Sequence, residues 1–175
     1  MGEISATAIT KQSARAILID DEKRLVLFKR TRPGRPVYWT TPGGGVEPTD
    51  ASLQAALRRE LAEELGAEVT GPARVFVHTR PSMSRAGLTV EHYFVARLVK
   101  LDLAARTGEE FGDPAHGAYD VERYSLCGTD DVSLAELDLQ PAELKQFILT
   151  NRALLLAEAA SAAAPGFSSG ELARP

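Results

Sequence analysis

A glycine turn followed at once by a capped amphipathic helix most constrains the fold of this chain. The triplet Gly43–Gly45 marks the turn, because glycine adopts the backbone conformations that tight turns require. Leucines then recur at intervals of four residues: Leu53, Leu57, Leu61 and Leu65. This spacing predicts a helix from about Ala51 to Leu65, with Asp50 as its N-cap and Gly66 as its C-cap.

Strand patterns stand on both sides of this helix. The β-rich runs are Ser13–Asp20, Arg24–Arg30, Tyr38–Thr41, Arg74–Thr79 and Leu88–Val99. The first two surround a short acidic turn, which predicts a hairpin. Pro141 is expected in the first turn of a second long helix, whose apolar face runs from Leu144 to Leu155. Strands before and after a central helix, followed by a C-terminal helix, predict a mixed α+β or α/β/α layered domain.

The central helix carries glutamates on one face. Glu60, Glu63 and Glu64 are spaced i, i+3 and i+4, so they lie within an arc of about 100°. Clustered carboxylates without Cys or His suit a hard cation, with Mg²⁺ the best fit and Mn²⁺ able to substitute. Mg²⁺ bound by few protein ligands usually completes its shell with phosphate, which indicates phosphoryl chemistry. Taken alone, however, the same pattern is more often a plain solvated helix.

The glycine turn and the glutamates together resemble the signature of the Nudix hydrolases. That signature reads Gly, five residues, Glu, seven residues, Arg-Glu, aliphatic, any residue, Glu-Glu, any residue, Gly, aliphatic, and most of its positions are matched here. The matching residues are Gly45, Arg59, Glu60, Leu61, Glu63, Glu64 and Gly66. Ala51 stands where the first Glu belongs, with Asp50 one residue early, and Ala67 is a small final aliphatic. Asp50 can replace that Glu through a one-residue loop insertion.

The resemblance implies an α/β fold, an α/β/α sandwich on a mixed β-sheet. It implies a Nudix domain over residues 11–157 and a C-terminal tail, flexible or docked, over 158–175. The implied activity is Mg²⁺-dependent hydrolysis of a pyrophosphate (P–O–P) linkage in a nucleoside diphosphate-linked substrate by metal-activated water, with Mn²⁺ as a substitute. The implied partner is a small nucleotide-type substrate, and family members often form homodimers.

The resemblance also assigns roles to residues of the signature. Glu60, Glu63 and Glu64 become metal ligands and catalytic residues, the Gly45 carbonyl a further metal ligand, and Arg59 the cation that orients them. In this family the general base often lies outside the signature. Glu109 and Glu110 are candidates for it here, although a role as solvated loop charges is an equally good interpretation.

Arginines are the candidate substrate ligands, because a guanidinium fork matches phosphate oxygens. Arg30 and Arg32 precede the glycine turn, whereas Arg80 and Arg85 lie in the loop before the strand Leu88–Val99. For any one of them, a solvated surface role is the commoner interpretation. For the neighbouring Trp39, packing is favoured over stacking on a base.

Composition disfavours several other classes of protein. The chain has 175 residues and a net charge of −4, which disfavours a protein that coats nucleic acid. No apolar run approaches the roughly 20 residues that cross a bilayer, so no membrane association is expected. The N-terminal residues lack the pattern of a secretory signal. Cys127 is the single cysteine, and a cytoplasmic location is therefore expected.

Two other functions compete with hydrolysis. A non-catalytic Nudix module could sense ADP-ribose or a nucleotide sugar, but such modules usually lose signature glutamates that this chain keeps. A prenyl diphosphate isomerase on the same fold would need a catalytic cysteine, and Cys127 lies far downstream of the signature. The sequence leaves open whether the substrate is a nucleoside triphosphate, ADP-ribose, a nucleotide sugar or a dinucleoside polyphosphate.

Overall fold

The computed structural model describes residues 8–84, 86–108, 116–128 and 133–162. Its strands are β1 (Ile9–Ile19), β2 (Arg24–Thr31), β3 (Tyr38–Thr40), β4 (Gly43–Gly45), β5 (Glu68–Pro81), β6 (Leu88–Lys100) and β7 (Ala118–Ser125). Its α-helices are α1 (Leu53–Leu65), α2 (Ala142–Thr150) and α3 (Arg152–Ser161). No helix in this part of the chain has the length and apolar character needed to cross a membrane.

The strands form one mixed sheet. Its main path is β3-β2-β1-β6-β5, with β4 added to β1 and β7 added to β2. Strands β1 and β6 are parallel, whereas β1 and β2 form the predicted antiparallel hairpin, with Leu18 opposite Val26. The parallel pair lies at the centre, so β1 is the strand against which both layers of the core are built.

Side-chain alternation along β1 separates two hydrophobic layers. Ala14, Ala16 and Leu18 pack with the buried face of α1, whereas Ile17 and Ile19 pack with α2 and α3. Helices therefore cover both faces of a mixed sheet, and the predicted α/β architecture is confirmed.

The start of α1 differs from the prediction. Ser52 is the N-cap, because its hydroxyl accepts a hydrogen bond from the backbone N–H of Ala55 at 3.1 Å. The prediction that Asp50 caps the helix is wrong, since the Asp50 carboxylate is bound to Arg59 instead. Gly66 is confirmed as the C-cap, with a positive φ of 55° and no room for a Cβ beside the Asp102 carbonyl.

Two further elements depart from the sequence predictions. Strand β7 was missed, because it lacks a buried apolar face and alternates only between exposed and half-buried residues. The predicted second helix is two helices, α2 and α3, interrupted at Asn151, whose φ of −112° and ψ of 22° are not helical. Helix α3 reaches Ser161 and buries Ala159 within the predicted tail. Residues 163–175 lie outside the described part of the chain.

Candidate active site

Arg59 on α1 is the centre of a group of oxygen atoms. Its Nη2 donates to the Gly45 carbonyl and to Asp50, both at 2.9 Å, and its Nε donates to the other Asp50 oxygen at 3.1 Å. Its Nη1 donates to Glu60 at 3.0 Å and to Glu63 at 3.1 Å. We call these five residues the Arg59 cluster. One planar guanidinium thus fixes the glycine turn, the loop before α1 and two signature glutamates.

Asp50 binds both Arg59 and the backbone of the loop before α1. Its carboxylate accepts a hydrogen bond from the backbone N–H of Glu47 at 2.8 Å, in addition to the two from Arg59. The hydrogen bonds from Arg59 and from Glu47 lower the pKa of Asp50 below its ordinary value. The same contact raises the pKa of Arg59. Asp50, one residue before Ala51, is therefore a carboxylate that holds both Arg59 and the loop.

Glu64 is held separately, at the first glycine of the turn. Its carboxylate accepts a hydrogen bond from the backbone N–H of Gly43 at 2.6 Å, and the residue is only 8% exposed. A side chain on Gly43 is excluded, because its φ is 122° and a Cβ would lie 2.3 Å from the Ala14 carbonyl oxygen. A Cβ on Gly44 would lie 2.4 Å from the Glu60 carboxylate. The glycines therefore allow the glutamates to approach the backbone of β4.

The donor set fits a hard divalent cation in its chemistry. It consists of carboxylates and the Gly45 carbonyl, which are the oxygen ligands that Mg²⁺ and Mn²⁺ take. Within the described residues, however, no group of three or more His, Cys, Asp or Glu side chains is arranged around one point. Glu60 and Glu63 contact Arg59, whereas Glu64 contacts Gly43. The Arg59 guanidinium is thus the cation that compensates Glu60 and Glu63 in this structure.

The residues just before the candidate general bases are anchored to α1. The backbone N–H groups of Thr107 and Gly108 both donate to the Glu63 carbonyl, at 2.9 and 3.1 Å. Glu109 and Glu110 themselves lie outside the described residues. Their position in the chain, directly after Gly108, keeps them candidates for the base.

The three candidate substrate arginines within the described residues do not form one group. Arg30 on β2 stacks on the Tyr119 ring at 3.3 Å and donates to the His116 carbonyl at 2.9 Å. Arg32 follows β2 and borders a shallow surface depression with Gly117. Arg80 is on β5, which β1 and β6 separate from β2. Arg85 lies outside the described residues.

Arg80 lines a cleft on the opposite face of the sheet from α1, next to the start of α2. The cleft has a volume of about 350 Å³. We call it the α2-side cleft, and its principal residues are Arg15, His78, Arg80, Glu91, Tyr93 and Gln140. Sequence reasoning found only Arg80 among them. A usable signal was present, since Glu91 and His78 are polar residues within runs that read as strands.

Glu91 is the centre of the α2-side cleft. Its Oε2 lies 3.1 Å from Nδ1 of His78 and accepts a hydrogen bond from the Tyr93 hydroxyl at 3.3 Å. Its Oε1 lies 3.7 Å from Nε of Arg15. Burial of Tyr93, followed by the charge of Glu91, raises the pKa of the phenol, which keeps it a hydrogen-bond donor. The carboxylate is thus fixed from three directions.

Comparison with known proteins identifies the family. The model of the NUDIX domain matches residues 10–148. Comparison with curated proteins returned no match. Among solved structures, the E. coli ORF135 protein is 26% identical, with a TM-score of 0.57 over 87% of this chain and 97% of that chain.

Two further structures share the fold at lower identity. The NUDIX domain of Shewanella oneidensis NrtR, solved as a complex with ADP ribose, is 18% identical, with a TM-score of 0.57 over 88% of this chain and 94% of that one. A NUDIX hydrolase from Nitrosomonas europaea is 16% identical, with a TM-score of 0.53 over 89% of this chain and 92% of that chain. The family model spans most of the described domain and includes every residue of the Arg59 cluster. This chain therefore belongs to the NUDIX family.

Proposed function

We propose that this protein is a divalent-metal-dependent hydrolase that cleaves a P–O–P linkage in a nucleoside diphosphate-linked substrate. The observation that carries the proposal is the Arg59 cluster. It joins the Gly45 carbonyl, Glu60 and Glu63 through one guanidinium, while Glu64 is held nearby at Gly43. Membership of the NUDIX family supports the same reaction class.

Glu60, Glu63, Glu64 and the Gly45 carbonyl are the groups that would hold the metal, with Mg²⁺ preferred and Mn²⁺ able to substitute. When bound, such a cation neutralises phosphate charge and lowers the pKa of a coordinated water. A carboxylate has about four lone-pair sites, so Glu60 and Glu63 can each bind Arg59 and a cation together. Glu63 is 41% exposed and is the most open of the three to solvent.

Residues of the chain position the glutamates and accept a proton from the attacking water. Arg59 orients Glu60 and Glu63, and the bond from Gly43 keeps Glu64 at the glycine turn. In hydrolysis, the water oxygen bonds to one phosphorus while the bond from that phosphorus to the bridging oxygen breaks. A carboxylate accepts the water proton. We assign this role to Glu60, Glu64 or one of Glu109 and Glu110.

A panel of pyrophosphate compounds tests this function. The purified protein is incubated with nucleoside triphosphates, ADP-ribose, nucleotide sugars and dinucleoside polyphosphates, with Mg²⁺ or with excess chelator, and the released phosphate, pyrophosphate or monophosphate is identified. We expect hydrolysis of at least one compound with Mg²⁺ and none with chelator. Hydrolysis that persists in chelator would defeat the metal-dependent mechanism. Binding of Mn²⁺, followed by electron paramagnetic resonance, should weaken in Glu63→Gln but not in Glu68→Gln, at an exposed residue beyond α1.

A second candidate is a non-catalytic sensor. The structurally similar NUDIX domain of NrtR was solved as a complex with ADP ribose, which supports ADP-ribose binding as a candidate role. A protein of this kind would bind ADP-ribose in the panel above and leave every compound intact. The presence of all three signature glutamates favours the hydrolase.

A further inference from the structure

Arg30 on β2 is held against the residues that precede and begin β7. Its Cζ atom lies 3.3 Å from the centre of the Tyr119 ring, and its Nη2 donates to the His116 carbonyl at 2.9 Å. We propose that Arg30 is a positioning residue of the hydrolase, which fixes the far end of the segment 109–115, and not a ligand of substrate phosphate. The inference rests on the proposed function only for the reaction that this segment serves.

The geometry of Arg30 suits an anchor better than a phosphate ligand. An arginine that binds phosphate presents two parallel N–H groups of its guanidinium to the oxygens of the ligand. In Arg30, the ring of Tyr119 covers one face of the guanidinium and Nη2 is bonded to a backbone carbonyl. Its Nε is buried and has no hydrogen-bond partner among the described residues, so a ligand cannot reach it without a rearrangement. The contact between the cation and the ring stabilises this arrangement.

Gly117 brings the His116 carbonyl within reach of Arg30. Its φ is 76°, which residues with a side chain rarely adopt, and a Cβ there would lie 2.3 Å from the Thr31 carbonyl oxygen. The chain can therefore run directly against the end of β2. Tyr119 is then placed opposite Arg30 by the pairing of β7 with β2. A glycine, a backbone acceptor and an aromatic ring thus form one anchor, which we call the Arg30 anchor.

The other end of the same segment is bonded to a candidate metal ligand. Within a regular helix the Glu63 carbonyl would accept from the N–H of Ala67, but that N–H donates to the Leu61 carbonyl at 3.1 Å where α1 ends. The N–H groups of Thr107 and Gly108 take its place, at 2.9 and 3.1 Å. The segment thus begins on the backbone of Glu63 and ends at the Arg30 anchor.

Seven residues, 109–115, separate these two contacts, and they include Glu109 and Glu110, outside the described part of the chain. A carboxylate that accepts the proton of the attacking water must stand within hydrogen-bond reach of it, and a displacement of about 1 Å can slow such a step by about 100-fold. Since the near end is bonded to Glu63, the Arg30 anchor is what fixes the far end. Loss of Arg30 should therefore slow the chemical step without weakening the binding of substrate.

Separate measurement of kcat and KM tests this role in the reaction. Arg30→Lys keeps the charge but loses the planar guanidinium that stacks on the ring, and Tyr119→Leu removes the ring. We expect kcat to fall by about tenfold or more in both variants, with KM within about twofold of the wild type. Tyr119→Phe, which keeps the ring, and the control Arg35→Lys, at an exposed residue after β2, should stay close to the wild type.

Two kinetic outcomes would overturn the proposal. Wild-type kcat in Arg30→Lys would show that the position of the segment does not depend on the guanidinium. A rise in KM with unchanged kcat would show that Arg30 acts on the substrate as a phosphate ligand does.

Hydrogen–deuterium exchange tests the Arg30 anchor without substrate or metal. The peptide that covers residues 116–119 should exchange about tenfold faster in Arg30→Lys and in Tyr119→Leu, because a local contact that restrains it is lost. Peptides from α3, and all peptides of Arg35→Lys, should match the wild type. Unchanged exchange over 116–119 in both variants would contradict the proposal. If these variants exchange faster throughout, they have lost the fold and Gly117→Ala decides: it displaces the segment from β2 with Arg30 intact, and wild-type kcat in it would refute the proposal.

The Arg30 anchor and the hydrolase fail separately. Faster exchange over 116–119 in a protein that hydrolyses no compound of the panel would keep Arg30 as the anchor of the segment and refute the proposed reaction. Hydrolysis with Mg²⁺ by a protein whose Arg30→Lys variant keeps wild-type exchange and wild-type kcat would keep the reaction and refute the anchor.

Discussion

Arg59 and Glu91 are centres of opposite sign on opposite faces of one sheet. Arg59 is a cation that contacts three carboxylates and a carbonyl at 2.9–3.1 Å. Glu91 is a carboxylate approached by His78, Tyr93 and Arg15 at 3.1–3.7 Å. Arg59 joins groups from one short segment of the chain, Gly45 to Glu63, whereas Glu91 joins side chains from three strands, β1, β5 and β6. The difference separates a centre built from local sequence from one built by strand pairing.

The largest expected effect is the loss of hydrolysis when Glu64 is replaced. Glu64→Gln keeps an oxygen that can accept from Gly43 but loses the charge that a metal requires, so hydrolysis should fall by about 100-fold or more. Turnover of the best compound in the panel measures the loss, and far-UV circular dichroism should stay unchanged. Near-wild-type turnover would show that Glu64 is not part of the active site. Glu68→Gln, which makes the same charge change at an exposed position, should retain full activity.

Replacement of the two centres by alanine tests the comparison directly. Arg59→Ala leaves Asp50 and Glu60, whose side chains are 6% and 14% exposed, without their shared cation, and should lower the free energy of unfolding by about 3 kcal/mol. Glu91→Ala removes an acceptor from the buried Tyr93 hydroxyl but leaves no carboxylate without its cation, and should cost about 1 to 2 kcal/mol. Urea denaturation measures both. Arg58→Ala, at the exposed neighbour of Arg59, is the control. Equal losses at Arg59 and Glu91 would contradict this difference, because they would show that loss of the shared cation costs no more than loss of one acceptor.

The Arg59 cluster was largely predictable because its residues are close in sequence. Glycine conformation, helical periodicity and the Nudix pattern placed Gly45, Arg59, Glu60 and Glu63 together without knowledge of the sheet. The prediction of the N-cap was wrong. Asp50 and Ser52 are both suitable N-cap residues, and only the position of Arg59 decides between them.

The α2-side cleft was not predictable by the same means. Arg15, His78, Glu91 and Gln140 come from four separate segments, and they meet only when β1, β5 and β6 pair in one register and α2 begins beside them. A shift of one residue would point Arg15 and Glu91 to the other face. Local patterns contain no information about that register. The missed strand β7 has the same cause, since it is defined by pairing with β2 and not by its own hydrophobicity.

A smaller effect should follow from the charge of Asp50. Its folded pKa is lowered, so ionised Asp50 stabilises the fold above the ordinary pKa of 3.8, and this contribution is lost as the pH falls through the lowered value. Asp50→Asn should therefore be less stable than the wild type from about pH 5 upwards, and the difference should vanish in more acidic solution. Urea titrations across this range measure it. A pH-independent difference would show that the bond to Arg59 does not depend on charge.

The smallest expected effect separates the cap of α1 from the Arg59 cluster. Ser52→Ala removes one hydrogen bond to the Ala55 N–H on an exposed surface and should lower the free energy of unfolding by about 1 kcal/mol at every pH. Hydrolysis should be unchanged, because Arg59 keeps its bonds to Asp50 and Glu60. Denaturation and turnover of the same preparation measure both quantities. If Ser52→Ala instead impaired turnover, the first turn of α1 and the Arg59 cluster would be one cooperative unit. The comparison with Glu91 would then apply to the whole start of the helix and not to Arg59 alone.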